Sequence, residues 1–440
     1  MQPSKMVYNR RYERKRGGLK MAYDADQVRQ RQLQRRQELK RQQARKRQRN
    51  RRIGLLVLAM AAIVGLGILV SSLAHHVSEP KPTEAPTTSP DTVNTPKEPE
   101  TVITLAFGGD VNITDTVVSL SDYQSLFMDA APLFAGSNCA AVNFEGNLCG
   151  GPYGTEGTRA PQELAQALSA AGVDLLQLAN SCTINNGLLG LTQTVDAIRQ
   201  AGMEPVGAYR SEEDVKTYKG FTLRSIGGVK VAFVAFTKGM GNMALPEGSE
   251  SRVNLLYKDY TSTYQEINKD GITDILQAVE REKPDITVAM LHWGSEYNAQ
   301  VSESQLEIVK LMQKQGVDAI VGTHSHYVQK LEYDREKGTV VAYSLGDLLG
   351  DANKDGTAYS IVLQLEITKD NMKGTAKITD MSYIPVYNVS QTTEAGTTMQ
   401  LLQIREAIAA YEANSINKVP DAVYTAMKSA LSRIESRVKG

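Results

Sequence analysis

From residue 101 onward, short apolar runs alternate with amphipathic stretches. The runs are rich in Val, Ile, Leu or Ala, and they lie at 102–107, 139–144, 173–179, 229–236, 286–291, 318–321, 339–344 and 358–367. Runs of this length and composition are typical of buried strands. Helical patterns lie between them, one starting after Pro161 and two ending at Gly202 and Gly316. The alternation predicts an α/β layered fold.

Antiparallel segments are expected at the sides of the central sheet. A hairpin is predicted around Gly227-Gly228, and further strands at 358–367 and 375–386. Residues 397–438 are predicted to form two closing helices, the second starting at Pro420. We therefore divide this part of the chain into a domain at 101–390 and a C-terminal helical extension at 391–440 that packs on it.

The N-terminal part has a different character. Residues 53–74 contain no charged side chain, and a membrane-spanning helix needs about 20 such residues. A buried core helix and the apolar region of a signal peptide are the alternatives, but this run is long for both. The preceding residues 1–52 carry 19 Lys/Arg against 4 Asp/Glu. This asymmetry predicts a single transmembrane helix with a cytoplasmic N-terminus and the rest of the chain outside the cell.

The segments on either side of the predicted span are expected to lack a core. The basic arm 1–52 could bind nucleic acid or a partner, but we favour a solvated arm resting on anionic lipid headgroups. Residues 75–100 hold six of the chain's 15 prolines, which is typical of an extended linker.

The formal net charge of zero is a cancellation between the two parts of the chain. Residues 53–440 carry 30 Lys/Arg and 45 Asp/Glu. This acidic balance argues against a nucleic-acid groove over the whole surface of the body, although it leaves room for a local cationic pocket.

Polar side chains follow five of the predicted strands. They are Asp110, Asn143 with Glu145, Asn180 with Cys182, His292, and His324 with His326. In open α/β sheets ligands bind outside the carboxyl ends of the strands, so these side chains can converge. His324 and His326 are two residues apart, and on an extended segment both would project to one face.

Imidazole and carboxylate groups together predict a divalent-metal site. Each piece has a plainer alternative, since a Gly-Asp after a strand is often a turn and His292 beside Trp293 could be a satisfied, half-buried histidine. Two imidazoles as close as those of His324 and His326 are more specific, and the whole set favours a metal or anionic-substrate site.

These residues carry a resemblance to a known family. From about Thr101 to about Val386 the chain resembles the capsule-synthesis (CapA-like) proteins associated with poly-γ-glutamate export, a branch of the calcineurin-like metallophosphoesterases. The segments that carry it are Gly109-Asp110, Asn143 to Gly146, Ala179-Asn180 with Gly187, His292 to Tyr297, Gly322 to His326 with Gln329, and Tyr343 to Gly346.

The resemblance implies an α-β-β-α metallophosphoesterase-like sandwich and a set of site residues. The implied ligands of a divalent ion (Mn, Zn, Fe or Mg) are Asp110, Glu145, His292, His324 and His326. Asn180, Cys182 and Glu296 occupy the positions expected for catalysis. Asn143, Tyr297, Gln329 and Asp347 occupy those expected for substrate binding.

The chain also departs from the family pattern. The family usually reads Ala-Asn-Asn-His-x-x-Asp-x-Gly, where this chain has Ser181, Cys182 and Asn185 in place of the second Asn, the His and the Asp. Asp347 replaces an Asn, and no Arg follows Asp110 in the segment 112–115. Loss of a general acid or base typically lowers a rate by ~10²–10⁴. We therefore expect a site that binds a metal, with slow or absent hydrolysis.

The three cysteines, Cys139, Cys149 and Cys182, are too few for a disulfide scaffold. Cys182 could act as a nucleophile or thiolate ligand. We favour the plainer alternatives, in which Cys182 is a small buried hydrophobe or forms half of a disulfide with Cys139 or Cys149.

Three hypotheses follow. The first is a membrane-anchored extracytoplasmic component of capsule or poly-γ-glutamate-type polymer synthesis or export, with the anionic polymer or other capsule-synthesis proteins as partners and no nucleic acid. The second is a metal-dependent phosphoesterase or other hydrolase at the cell surface. The third is a binding module that has lost catalysis. The sequence leaves open whether the chain forms a homo-oligomer.

Overall fold

The computed structural model describes residues 99–350, 354–394, 396–416 and 418–440. The predicted arm 1–52, the predicted span 53–74 and nearly all of the predicted linker 75–100 lie outside these ranges. Within them, no helix is both long enough and apolar enough to cross a membrane.

The larger sheet has eight strands. In spatial order seven of them run β14-β13-β12-β1-β2-β3-β4, and β11 pairs with β1 in addition. Their bounds are β1 Glu100–Asn112, β2 Cys139–Glu145, β3 Leu175–Gln177, β4 Glu204–Val206, β11 Asp347–Leu349, β12 Tyr359–Asp370, β13 Thr375–Thr393 and β14 Gly396–Gln403. Strands β1 to β4 are parallel to one another, whereas β12, β13 and β14 are antiparallel.

The smaller sheet has six strands in the order β5-β6-β7-β8-β10-β9. They are β5 Phe221–Ile226, β6 Val229–Thr237, β7 Ile286–His292, β8 Ala319–Thr323, β9 Leu331–Asp334 and β10 Thr339–Ala342. The predicted hairpin at Gly227-Gly228 joins β5 to β6, and both glycines have positive φ, as such a turn requires. Strands β6, β7 and β8 are parallel, so their carboxyl ends lie at one edge.

Helices cover the sheets. They are α1 Asp115–Val118, α2 Tyr123–Phe127, α3 Ala131–Ala135, α4 Gln162–Ala170, α5 Gly187–Gln200, α6 Glu212–Tyr218, α7 Lys269–Arg281, α8 Glu303–Lys314, α9 Ile404–Glu412 and α10 Asp421–Arg437. The helix predicted after Pro161 is α4, and those predicted to end at Gly202 and Gly316 are α5 and α8.

The side chains of β6 show how the layers form. Val231, Phe233 and Ala235 pack in one core with residues of the larger sheet. The alternate residues Val234 and Phe236 pack in a second core with buried side chains of α7 and α8. Since successive side chains of a strand point to opposite faces, the smaller sheet lies between the larger sheet and these two helices.

The other helices complete the sandwich. Buried residues of α4, α5 and α10 belong to the core of the larger sheet, among them Leu168, Val195 and Ile434. The described residues thus form a mixed α/β fold with two sheets, as expected, and each predicted apolar run overlaps a strand.

The C-terminal segment differs from its expectation. Residues 391–440 were predicted to be helical, but β13 continues to Thr393 and β14 occupies Gly396–Gln403. Met399 and Leu401 of β14 are buried two residues apart, as in a strand with one face on a core. The helical part begins at Ile404, and its second helix starts after Pro420 as predicted.

Candidate metal centre

The predicted ligands lie at the carboxyl ends of parallel strands in both sheets. Asp110 is near the end of β1, Glu145 ends β2 and His292 ends β7, while His324 directly follows β8. All four side chains are buried, with Asp110 and His292 fully so. The packing of one sheet on the other therefore brings donors from four strands to one place.

A short strand adds a further carboxylate. Asp347 begins β11 and lies directly across from Asp110 in the parallel β1–β11 pair. The N–H of Asp110 donates to the carbonyl of Gly346 at 3.0 Å. Gly109 permits this approach, because a Cβ on it would come within 1.8 Å of the Gly346 oxygen. Asp347, which stays a predicted substrate-binding residue, also lies among the candidate ligands.

Among the described residues, two groups of donors have ligand atoms within 4.8 Å of one another, and Asp110 belongs to both. One group is Asp110, Glu145 and His292, and the other is Asp110, His326 and Asp347. A shared carboxylate is the arrangement found in sites that hold two ions about 3.5–4 Å apart.

Asn143, predicted to contact substrate, lies within hydrogen-bond distance of all three members of the first group. Its Nδ2 lies 2.6 Å from Asp110 Oδ1, 3.2 Å from Glu145 Oε1 and 3.3 Å from His292 Nδ1. Its Oδ1 accepts a 3.0 Å hydrogen bond from Nδ2 of Asn180, a predicted catalytic residue. Both amides are buried, so they orient the donors.

The ring of His292 is held on both sides. Its Nε2 lies 2.9 Å from Ser181 Oγ and its Nδ1 lies 3.2 Å from Thr323 Oγ1. Burial, and then the neighbouring His324, hold the pKa of His292 well below its usual value. Burial, and then Lys238, do the same for the pKa of His324. Both rings are therefore neutral near pH 7, as metal ligation requires.

His326 differs because it faces a carboxylate. Its Nδ1 lies 2.8 Å from Asp347 Oδ1. Burial alone would lower the pKa of His326, but the hydrogen bond and charge of Asp347 raise it to about 10. A metal bound through His326 would therefore have to displace a proton from this ring. The sequence analysis considered an extended segment after β8. His324 and His326 instead have φ of 87° and 59°, so this segment is not extended. Both rings nevertheless reach the centre from this left-handed backbone, which is a strained conformation for such residues.

The carboxylates fit a bound cation. Burial, and then the charge of Asp110, raise the pKa of Glu145 well above its usual value, and burial raises that of Asp110. Burial likewise raises the pKa of Asp347 to about 7. Three buried acids so close together repel one another unless protons or a cation compensate them. Carboxylate oxygens with imidazole nitrogens suit Mn, Fe and Zn, and the oxygens also suit Mg.

The loop that departs from the family pattern lies beside the centre. Ser181 is the hydrogen-bond partner of His292, and Cys182 Sγ lies 3.9 Å from Glu145 Oε2. Burial raises the pKa of the Cys182 thiol, which disfavours a thiolate. Cys139, Cys149 and Cys182 are all free, so the disulfide considered from the sequence is absent. The side chain of Asn185 donates to Thr158 Oγ1 at 2.9 Å, a contact that stabilises the loop.

Two clefts open onto the centre, and Cys182 lines both. The first, of about 510 Å³, includes Lys238, Tyr264, Glu296 and His324. The second, of about 310 Å³, includes Glu145, Tyr297, His326, Asp347 and Lys354. Glu296 and Tyr297, predicted from their place after His292, thus lie on different clefts.

Gln329 is the predicted site residue that lies apart from the others. It is fully buried, and its side-chain amide donates to the carbonyls of Asn298 and Gln300 at 2.9 and 3.1 Å. It accepts from Gln305 at 3.3 Å. These contacts support the loop before α8.

The sequence analysis did not single out Lys238, which lines the first cleft. Lys238 directly follows β6, so the search for polar side chains at strand ends could have found it.

The chain matches the model of a family described as bacterial capsule synthesis protein PGA_cap over residues 104–352. It is 26% identical over 281 residues to the PGA biosynthesis protein CapA of Bacillus subtilis (strain 168). This alignment covers 61% of the present chain and 69% of the relative. It is 30% identical over 217 residues to the capsule biosynthesis protein CapA of Bacillus anthracis, which covers 49% of each. The chain thus spans about half the length of the second relative.

Two solved structures are also similar to the chain. One is a novel phosphatase from Mycoplasma pneumoniae, with a TM-score of 0.41 and 13% identity, covering 65% of this chain and 94% of that one. The other is a hypothetical protein from Thermus thermophilus, with a TM-score of 0.40 and 14% identity, covering 64% of this chain and 98% of that one.

Proposed function

Because this chain belongs to the bacterial capsule synthesis protein family, we propose that it acts in the synthesis or export of a capsule-type anionic polymer such as poly-γ-glutamate. The observation that carries the proposal is the buried donor cluster, all of whose members lie within the matched residues 104–352. The names of the two Bacillus relatives, which refer to PGA and capsule biosynthesis, support the choice of polymer.

We place the domain outside the cell, attached to the membrane by residues 53–74. The uncharged length of that run and the 19 basic residues before it support this orientation. An extracytoplasmic domain would meet a polymer as it leaves the cell. Its partners would be the membrane, the polymer and other proteins of the same system.

The residues present fit a divalent ion. Asp110, Glu145 and His292 would hold it in one group, and Asp110, His326 and Asp347 in the other, with His324 beside them. A bound ion supplies positive charge that polarises a carbonyl or phosphoryl oxygen and attracts carboxylates. Asn143 keeps the donors oriented, and Ser181 and Thr323 fix the His292 ring.

A deletion strain tests the proposal. We expect it to make less surface polymer, or shorter chains, than its parent, measured by chain length and amount in the capsule fraction. Wild-type protein and the exposed control Glu163→Gln should restore the polymer, whereas Glu145→Gln should not. Polymer of unchanged amount and length in the deletion strain would refute the role.

A hydrolase is the second candidate, favoured by the single observation that Asp110 is shared by two donor groups. It predicts that the purified chain hydrolyses a simple phosphoester with Mn²⁺ or Zn²⁺, and that His324→Ala abolishes turnover. Turnover that survived both EDTA and this substitution would exclude it.

Restoring the family residues in the altered loop distinguishes a weakened enzyme from a binding module. If only a general acid or base is missing, Cys182→His with Asn185→Asp should raise turnover by about 10²–10⁴. No gain in turnover or in metal content would support binding without catalysis.

A further inference from the structure

The two clefts beside the metal centre share a feature that the proposed function does not use. Each contains a lysine whose ammonium group lies over the face of a tyrosine ring. These are Lys238 over Tyr264, at 4.5 Å from the ring centroid, and Lys354 over Tyr297, at 4.1 Å. An ammonium group in this position is attracted electrostatically to the face of the ring.

Lys238 is built into the first cleft. It follows directly after β6, its side chain is half-buried, and its Nζ donates to the carbonyl of Gly294 at 2.7 Å. Lys238 and the candidate ligand His324 line the same cleft. The ammonium group is therefore fixed beside the candidate metal centre.

Lys354 belongs to a stack that leads to the same centre. Its Nζ donates to the hydroxyl of Tyr297, and the Tyr297 ring lies parallel to that of His326, with centroids 4.8 Å apart. Tyr297 has a φ of 54°, a strained value for an aromatic residue, and its N–H donates to the Ser325 carbonyl at 2.8 Å. The backbone is thus held where the ring can connect Lys354 to His326.

We propose that the two clefts form one groove that binds an extended polycarboxylate chain across the metal centre, with Lys238 and Lys354 each holding a carboxylate of that chain. This inference rests on the proposed function and names the subsites of its polymer. Cys182 lines both clefts, so they adjoin beside Glu145. A polymer with a carboxylate on each repeat can present carboxylates to both lysines at once.

The groove is not a uniformly basic surface. Each cleft also contains an acid, Glu296 in the first and Asp115 in the second, and the centre itself holds three carboxylates. An anionic chain can cross such a centre only when a bound cation compensates these acids. Binding should therefore require the metal, and each lysine should strengthen it.

The test is binding of a γ-linked glutamate oligomer to the full-length purified protein with Mn²⁺ present. Lys238→Met and Lys354→Met should each weaken binding about 10-fold, and the double variant about 100-fold. Lys238→Arg and Lys354→Arg keep the charge and should remain within about 3-fold of wild type. Lys310 and Lys314 are exposed on α8 and line neither cleft, so Lys310→Met with Lys314→Met is the matched control.

Several outcomes would overturn the groove. They are no binding of the oligomer by the wild-type protein, unchanged binding in both methionine variants, or an equal loss in the α8 control. Tighter binding of uncharged dextran or of polyphosphate than of the oligomer would also overturn it. Thermal unfolding of each variant, with the arginine variants beside it, separates loss of the site from loss of the fold.

Failure of the groove and failure of the proposed function give different results. If the methionine variants bind normally while the deletion strain lacks polymer, the groove is wrong and the proposed function stands. If the deletion strain makes normal polymer, the proposed function falls regardless of the lysines.

Discussion

At the scale of single residues, the centre depends on neutral side chains as much as on its charged donors. Asn143 lies within hydrogen-bond distance of Asp110, Glu145 and His292, and Asn180 in turn holds Asn143. Partners of this kind typically change metal affinity by about 10–100-fold. Loss of a direct donor should therefore have a larger effect than that.

Glu145→Gln tests a direct donor with little change of shape. The amide oxygen can still accept from Asn143, and the amide nitrogen would face Cys182. We expect metal affinity to fall by more than about 100-fold, measured by elemental analysis and calorimetry. Metal at about 100 times its Kd stabilises a protein by about 2.7 kcal/mol, so EDTA should lower the Tm of the wild type but not of the variant. Equal metal content in both would contradict the assignment.

Asp318 gives a pH-dependent prediction away from the centre. Burial raises its pKa to about 6, and its carboxylate accepts from the Thr287 N–H at 2.8 Å. Since the unfolded pKa is about 4, the folded state binds the proton more tightly, and stability is lost as the pH rises from about 4 to about 6. Asp318→Asn should therefore stabilise the protein by about 2–3 kcal/mol at about pH 7.5 and have little effect at about pH 4.

Asp259 is a control because its pKa is shifted in the opposite direction to that of Asp318. The Gln265 N–H, followed by the Thr263 hydroxyl, holds the pKa of Asp259 at about 2. Its stabilising contribution is present above about pH 4 and is lost as the pH falls toward about 2, so Asp259→Asn should destabilise the protein at about pH 7.5. Urea denaturation at both pH values measures the two variants. A pH-independent effect of Asp318→Asn would show that ionisation is not the cause.

The convergence of the candidate donors was predictable because each follows a strand-like run, and the histidines are rare. The contacts of Asn143 and Asp347 with these donors were not predictable, because they depend on which strands become neighbours. Asp347 contacts the centre only because β11 pairs with β1. The left-handed backbone at His324 and His326 likewise depends on tertiary contacts, such as the bond from the His324 N–H to Asp110 at 3.0 Å.

At the scale of elements, the β1–β11 pair controls the separation of two acids. Asp110 and Asp347 are direct neighbours in it, and Gly109 lies against the Gly346 carbonyl. Residue size at position 109 therefore governs the geometry of the centre, although Gly109 carries no donor of its own.

Gly109→Ala should separate the two strands. A Cβ 1.8 Å from the Gly346 oxygen cannot be accommodated, so we expect a loss of about 1–3 kcal/mol in stability and weaker metal binding. Gly151→Ala is the control, since a Cβ there meets only ordinary contacts with Tyr153. Urea denaturation and metal content measure both effects. Wild-type metal affinity in Gly109→Ala would show that the β1–β11 spacing is unimportant.

The strand β14 shows where element prediction failed. Residues 397–403 lead into Ile404-Arg-Glu-Ala-Ile408, and strong helix formers there favoured a helix throughout. Pairing with β13 along eight positions overrides that preference. The burial of Met399 and Leu401 gives the period of two that distinguishes the strand, but two residues are a weak signal.

At the scale of the whole molecule, the larger sheet is completed by residues beyond the family match, which ends at 352. Strand β12 pairs with β1 from Glu100 to Phe107, so the centre of this sheet needs chain after 352. The helices α9 and α10 then cover its core with Ile404, Met427 and Ile434.

Truncation separates these contributions. A chain ending at 352 should not fold, because β1 would lose its neighbour β12 and expose a central strand edge. A chain ending at 403 keeps both sheets and should fold with lower stability, since loss of Met427 and Ile434 alone removes roughly 3–6 kcal/mol of apolar burial. Circular dichroism and limited proteolysis measure both. A cooperative unfolding transition in the shorter chain would contradict this view of the sheet.

The order of the donors along the chain has a consequence for biosynthesis. Asp110 and His324, which are joined by a hydrogen bond in the folded protein, are 214 residues apart. A ribosome adding about 5–20 residues per second needs roughly ten to forty seconds for that stretch. Until it is made, the nascent chain lacks His324, His326 and Asp347 and offers a cation only part of a site. A cation held by the full set of donors would therefore be acquired late, from the compartment in which the finished chain folds.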